Sequence, residues 1–200
     1  INYRGFGLSE GYPSERAVVE DSRSIYDYAA GRKDVDTAKI VVLGRSLGTY
    51  FTFALAGSRT LSGAILATPF DSIAAVGAER YPWLPLSLLI NGRYDAAVMA
   101  PKIKIPALFV LAENDDVTPA ENGAALARAW GGRQRTVTLA GARHYGIERR
   151  PEFWRAVTEF LLDLELDQLT PLLPVLRRGL GNLGGPEGTN LSETLAGVLG

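Results

Sequence analysis

The sequence contains no cysteine in its 200 residues and only one histidine. The absence of cysteine excludes disulfide bonds, thiolate metal sites and a cysteine nucleophile. A single histidine also argues against a metal centre built from protein side chains, because such centres draw on several His, Cys or carboxylate ligands. We therefore expect chemistry that uses neither a metal nor a thiol.

The chain also lacks a charge excess and a long apolar run. Its net charge is −1, and no extended run of Lys and Arg occurs, so a nucleic-acid partner is not expected. No apolar run approaches the roughly 18 residues that a membrane-spanning helix needs. With 46% hydrophobic and 22% charged residues, the composition is that of one globular domain.

Short apolar segments alternate with helical patterns along the chain, which predicts an α/β fold with a mostly parallel sheet flanked by helices. The predicted strands are 40–43, which we expect to be buried, and 63–67, 105–111 and 136–139. The predicted helices are 15–30, capped by Ser14, then 49–56, 119–130 and 152–164, with short helical pieces between 71 and 91. The first helix is predicted to be amphipathic, with Val18, Ile25 and Tyr28 on its apolar face.

One serine lies in a GxSxG motif where the first of these strands gives way to a helix. In VVLGRSLGTYFTFA, Gly44 and Gly48 are expected to remove Cβ atoms that would clash in a sharp turn, which leaves the Ser46 hydroxyl exposed. A serine between glycines is often only a turn residue. The flanking strand and helix favour a nucleophile instead.

An acid and the histidine follow two later strands. Asp115 and Asp116 come after the 105–111 strand and His144 after the 136–139 strand, so all should lie with Ser46 at the carboxyl edge of the sheet. Asp71, after the 63–67 strand, could also reach the histidine. The two adjacent aspartates could instead cap the helix that follows them, and His144 could be a surface residue.

These residue types are sufficient for acyl transfer. Ser46 would attack a carbonyl carbon, His144 would take and return its proton, and an aspartate would orient the imidazole. The backbone N–H of Leu47 would be one donor to the oxyanion.

Four stretches of residues 1–163 carry a resemblance to a known family: NYRGFGLSEGYPSE, GRSLG, TPFDS to RYPWLP, and AENDDVTP with GARHYG. In these stretches the chain resembles the α/β-hydrolase superfamily, and within it the lysophospholipase-like and serine-aminopeptidase-like acyl hydrolases. In such proteins the acid commonly lies four residues before the proline of a DxxVP-like run, which selects Asp115 through Pro119. The order serine, acid, histidine is also that of the superfamily.

The resemblance also implies that strands and an HGxx-type loop, the source of a second oxyanion amide, precede the part of the fold seen here. We therefore expect an N-terminally incomplete α/β-hydrolase domain over residues 1–165, with an uncovered edge at the first strand, 40–43. Residues 166–200 mix leucines with prolines and glycines, which predicts a flexible tail.

The function predicted from the sequence is a serine hydrolase that cleaves carboxylic esters or thioesters without a metal or organic cofactor. Its substrate would be a small molecule or an acylated partner. Tyr81 and Trp83 could line an acyl pocket, although such aromatic clusters are more often core. Two alternatives stay open: a peptidase using the same residues, and a non-catalytic interaction module.

Overall fold

Four parallel strands alternate with helices in the computed structural model of the chain, which describes residues 4–5, 7–12, 14–72, 76 and 94–169. The strands are β1 (Val41–Arg45), β2 (Gly63–Ala67), β3 (Ala107–Ala112) and β4 (Gln134–Leu139). The helices are α1 (Glu15–Ala30), α2 (Leu47–Ala56), α3 (Ala120–Ala129) and α4 (Pro151–Leu169). The predicted fold class is confirmed, and element ends differ from prediction by a few residues.

The strands are ordered β1-β2-β3-β4, and each neighbouring pair is parallel. Because each crossover runs the chain back to the same end, the residues that follow β1, β2, β3 and β4 meet at one edge. The chain divides into two units, Ile1–Leu161 and Leu162–Gly200. All four strands belong to the first unit, and α4 begins in it.

The two central strands are buried throughout. Leu66 of β2 and Phe109 of β3 belong to one apolar cluster with Phe53 of α2 and Leu126 of α3, so these helices pack on that face of the sheet. Residues of the opposite face, such as Leu108, are buried too. A parallel sheet covered on both faces favours the continuous apolar strands seen in the sequence.

Helix α1 begins where its capping residue predicts. The Ser14 hydroxyl accepts a hydrogen bond from the Ala17 amide, and Val18 is buried. The sequence also placed Tyr28 on the apolar face, and this is wrong, because Tyr28 is 64% exposed. Its hydroxyl interacts with the Arg32 guanidinium, which keeps the polar end of the ring in solvent.

Strand β1 differs from the other apolar strands because it lies at one edge of the sheet formed by the described residues. Leu43 in it is 44% exposed, so the expectation of a buried strand at 40–43 is wrong while that of an uncovered edge agrees with the described part. Unpaired edges are sites of self-association.

Helix α4 continues through Leu169, beyond the predicted end at residue 164. The rest of the predicted tail lies outside the described residues, as does most of the segment 71–91 for which short helices were predicted. No helix in the described ranges is long and apolar enough to cross a membrane.

Candidate active site

Ser46 lies in a sharp turn between β1 and α2, with backbone angles φ 52° and ψ −122°. A positive φ is uncommon for a residue with a side chain, and such strain persists only where the surroundings hold it. Here the Ser46 amide donates to the Ala67 carbonyl at 2.9 Å, and the Ser46 carbonyl accepts from the Thr49 hydroxyl at 2.6 Å. The turn is thereby fixed to β2 and α2.

The two glycines that flank Ser46 contribute differently. A Cβ at Gly44 would lie 2.4 Å from both the Gly48 carbonyl oxygen and the Thr52 hydroxyl, so a side chain is excluded there. A Cβ at Gly48 would meet nothing within 4 Å of the described structure. The prediction that both glycines relieve a clash therefore holds for Gly44 and is wrong for Gly48 as far as the described residues go, because none of their atoms lies close to that Cβ position.

His144 lies in the loop after β4, and its side chain is only 2% exposed. This loop is tied to the loop after β3 by two hydrogen bonds, from the Asn114 amide to the Ala142 carbonyl and from the Gly141 amide to the Glu113 carboxylate. Gly141 and Gly146 bracket the histidine with positive φ values of 65° and 81°. The two glycines permit the tight path that turns the imidazole inward.

Asp115 follows β3, and its side chain is 1% exposed. Burial acts to raise the pKa of its carboxyl, but the hydrogen bond with His144 and those from the Thr118 and Val117 amides outweigh burial and hold the pKa below its usual value. These amides lie 2.7 and 2.9 Å from Oδ1. The carboxylate is therefore ionised at neutral pH although it is buried.

The three side chains form a continuous hydrogen-bonded chain. His144 Nε2 lies 2.9 Å from Ser46 Oγ, and His144 Nδ1 lies 3.0 Å from each carboxylate oxygen of Asp115. A proton on Nδ1, directed at the carboxylate, leaves Nε2 free to accept the proton of the serine hydroxyl. The arrangement can therefore generate a serine alkoxide equivalent without solvent access to the imidazole.

The structure also shows which of the candidate acids contacts the histidine. The Asp71 carboxylate accepts from the Ser72 amide at 2.8 Å, whereas the ring nitrogens of His144 contact Asp115, Thr118 and Ser46. Asp116 is exposed. Of the three candidate acids, Asp115 is the one within hydrogen-bond distance of the imidazole.

Two neighbours of the imidazole were missed or undervalued in the sequence. Thr118 Oγ1 lies 3.1 Å from His144 Nδ1, a contact that its position three residues after Asp115 in a turn could have suggested. Arg45, next to Ser46 in GRSLG, was not identified as a site residue, yet its guanidinium donates to the His144 carbonyl at 3.3 Å. It also lies 6.0 Å from the ring centre of Tyr145, which is 73% exposed.

Two further predictions concern substrate and oxyanion binding. Leu47 is the first residue of α2, where a backbone amide has no acceptor within the helix, so its position is compatible with the predicted donor role. Tyr81 and Trp83 lie outside the described residues. Among the described residues, no group of three or more His, Cys, Asp or Glu side chains could hold a metal ion.

Comparison with known proteins assigns the chain to a family. A family model described as serine hydrolase matches residues 30–162, and the chain belongs to this family within the α/β-hydrolase superfamily. The matched range includes Ser46, Asp115 and His144.

Individual relatives agree with this membership. An uncharacterized protein of Mycobacterium tuberculosis is 36% identical over 144 residues, which cover 72% of this chain and 51% of the relative. The α/β-hydrolase domain-containing protein WAV2 of Arabidopsis thaliana is 31% identical, over 60% of this chain and 44% of its own length. The chain thus spans about half the length of these curated relatives.

A solved structure shows the same fold. The acetyl xylan esterase from Paenibacillus sp. R4 superposes with a TM-score of 0.62 at 22% sequence identity, over 74% of this chain and 52% of the esterase. At this identity the likeness concerns the fold alone.

Proposed function

We propose that the chain is a serine hydrolase that cleaves carboxylic esters or thioesters through an acyl-Ser46 intermediate, with Ser46, His144 and Asp115 as its catalytic triad. The observation that carries the proposal is the unbroken series of hydrogen bonds from Ser46 Oγ through both ring nitrogens of His144 to the buried Asp115 carboxylate. Membership of the serine hydrolase family supports it.

In the first half-reaction, Ser46 Oγ forms a bond to the carbonyl carbon of the substrate while its proton moves to His144 Nε2. The resulting imidazolium is stabilised by Asp115, and the Leu47 amide donates to the oxyanion. When the tetrahedral intermediate collapses, the bond to the leaving alcohol or thiol breaks. The leaving group takes the proton from Nε2.

In the second half-reaction, a water molecule attacks the acyl carbon and gives a proton to His144. Collapse releases the carboxylic acid, and His144 returns the proton to Ser46 Oγ. Nothing is oxidised or reduced, so the cycle needs no cofactor.

Esters and thioesters are favoured over amides in this proposal because their leaving groups depart more readily from the tetrahedral intermediate. The Paenibacillus structure with the same fold is an acetyl xylan esterase, which is in line with ester chemistry on this fold. The part of the chain between β2 and β3 is also too short for a large cap domain, which favours small or surface-presented acyl groups.

The test is to compare hydrolysis of p-nitrophenyl acetate, butyrate and decanoate, an acyl thioester and an aminoacyl p-nitroanilide. We expect turnover of short esters and of the thioester, with little anilide cleavage. The Ser46→Ala variant should lose at least about a thousandfold in kcat. As the matched control, Ser24→Ala alters an exposed serine on α1 that bonds only its own helix and should keep wild-type rates.

Other outcomes would contradict parts of the proposal. Turnover confined to decanoate would contradict the preference for short acyl groups. Preferential anilide cleavage would indicate a peptidase. A folded wild-type protein that hydrolyses none of these substrates would favour the non-catalytic interaction module.

A further inference from the structure

Thr118 brings a buried hydroxyl into contact with both the acid and the histidine of the site. The residue is 4% exposed. Its Oγ1 lies 3.1 Å from Asp115 Oδ2, 3.1 Å from His144 Nδ1 and 3.4 Å from the Thr68 carbonyl oxygen. One side chain therefore links the loops that follow β2, β3 and β4.

The backbone holds Thr118 in this position. Asp115 Oδ1 accepts hydrogen bonds from the Val117 and Thr118 amides, so the turn wraps around one carboxylate oxygen. Oδ2, the other oxygen, then faces the Thr118 hydroxyl and the imidazole. The carboxylate plane is fixed by the Val117 and Thr118 amides, the Thr118 hydroxyl and the His144 ring.

The proton of this hydroxyl has two possible acceptors. The imidazole Nδ1–H is itself a donor in the tautomer that lets Nε2 accept from Ser46, so it cannot receive the threonine proton. Between the remaining acceptors, Asp115 Oδ2 is closer than the Thr68 carbonyl and carries charge, which makes it the stronger partner. The hydroxyl therefore donates to the carboxylate.

We propose that Thr118 is a positioning residue for the triad: its hydroxyl fixes the orientation of the Asp115 carboxylate and limits how strongly that carboxylate holds a proton on His144. The inference rests on the proposed function for its catalytic meaning. The effect of the Thr118 hydroxyl on His144 can be measured without measuring catalytic activity.

Few groups in the described part of the chain contact the imidazole ring. His144 is faced by Asp115 and Thr118 at Nδ1 and by Ser46 at Nε2, while the Tyr145 ring lies 5.1 Å from the imidazole ring centre. The Arg45 guanidinium contacts the His144 carbonyl rather than its ring. Among the described groups at the ring, Asp115 carries the negative charge, so a change in its hydrogen bonding acts directly on proton binding at His144.

Removing the hydroxyl is expected to act on proton binding at His144 mainly through the carboxylate, because the imidazole Nδ1–H keeps both Asp115 oxygens as acceptors at 3.0 Å when Thr118 Oγ1 is gone. Without the hydrogen bond from Thr118, more of the negative charge of Asp115 is available to the imidazole, and the imidazolium is stabilised more strongly. The histidine should then titrate at higher pH and release its proton to the leaving group less readily. The carboxylate also loses one of the contacts that orient it, so kcat should fall while KM changes little.

The experiment follows the titration of the imidazole by NMR in the wild-type protein, Thr118→Val and Thr118→Ser. His144 is the only histidine in the chain, so its ring signals need no assignment by mutation. We expect the midpoint for Thr118→Val to rise by about half a pH unit, about a threefold gain in proton affinity. Thr118→Ser keeps the hydroxyl and should titrate close to wild type.

Kinetics provide the second readout. The kcat of Thr118→Val should fall about tenfold with an unchanged KM, and the acid limb of its pH profile should move upward with the NMR midpoint. Thr136→Val, which removes an exposed hydroxyl bonded to Gln134 on β4, is the matched control and should change neither measurement. If Thr118→Val does not fold, Thr118→Ala provides the same comparison.

A midpoint for folded Thr118→Val that equals or falls below the wild-type midpoint would overturn the proposal. A loss of stability with an unchanged midpoint would likewise show that Thr118 is only structural. The proposed function is tested separately, because it fails if Ser46 of the wild-type protein proves unreactive. In that case the NMR comparison would still decide the role of Thr118.

Discussion

The Asp115 carboxyl remains charged in a place that excludes water. Three kinds of hydrogen bond, from His144, the Val117 and Thr118 amides and the Thr118 hydroxyl, replace its hydration. Its pKa therefore lies below that of an aspartate in the unfolded chain, despite the opposing effect of burial. A depressed pKa means that ionised Asp115 stabilises the folded state above about pH 4, and that this contribution is lost as pH falls further.

This gives a prediction for Asp115→Asn. The free energy of unfolding of the variant should lie below that of wild type near neutral pH, because the carboxylate contacts are lost. The difference should shrink below about pH 4, where the wild-type carboxyl takes up its proton in the unfolded state and then in the folded state. Urea unfolding of both proteins at several pH values between about 7 and about 3 measures this difference in the free energy of unfolding.

Asp116→Asn is the matched control, because this neighbour is exposed and should show little change. A difference between Asp115→Asn and wild type that stayed constant to about pH 3 would contradict the account of the Asp115 pKa.

The sequence predicted that Ser46, Asp115 and His144 lie together, but not which residues surround them. Their proximity could be predicted because each follows a strand of a parallel sheet and so lies at the same edge. The contacts of Thr118 and Arg45 depend on how the loops after β1, β3 and β4 fold against each other. No periodicity in the chain records such contacts between loops.

At the scale of elements, the turn from β1 to α2 determines where the nucleophile lies. Its sequence contains two glycines, and pattern reasoning assigned them the same role. The structure distinguishes them by the space around each Cβ position, with contacts at 2.4 Å for Gly44 and, among the described residues, none within 4 Å for Gly48.

The pair therefore gives a matched prediction. Gly44→Ala should lower the free energy of unfolding by about 2 to 3 kcal/mol, because the new methyl group overlaps the first turn of α2. Gly48→Ala should leave stability unchanged or raise it by up to about 1 kcal/mol, because alanine favours the helix. Urea unfolding of both variants measures these changes in the free energy of unfolding. Equal destabilisation by both substitutions would contradict the packing described for this turn.

Element type was more predictable than element ends. The strands were found because buried parallel strands are continuously apolar, and α1 because Ser14 caps it. The end of α4 was missed, since ELDQL after residue 164 continues a helical sequence without a stop signal. Tyr28 was misplaced because an amphipathic ring can turn its hydroxyl to solvent and to Arg32.

At the scale of the whole molecule, the described sheet has one partly exposed apolar edge at β1. Leu43 is 44% exposed there, whereas Leu66 on the neighbouring strand is fully buried. An exposed apolar edge strand is expected to promote association between copies of the chain as concentration rises.

Leu43→Lys should therefore reduce concentration-dependent association and leave the free energy of unfolding nearly unchanged, because a lysine side chain can remain in solvent. Sedimentation velocity over a range of concentrations measures this effect. Leu66→Lys, at a buried position, should instead prevent folding. Association of Leu43→Lys equal to that of wild type would show that self-association does not proceed through this edge.

Intact-mass analysis after exposure to a fluorophosphonate probe shows whether Ser46 is an activated nucleophile. We expect one adduct on the wild-type chain and on Ser24→Ala, and none on a Ser46→Ala protein shown by circular dichroism to be folded. No adduct on folded wild type, or an adduct that persists in Ser46→Ala, would contradict this expectation.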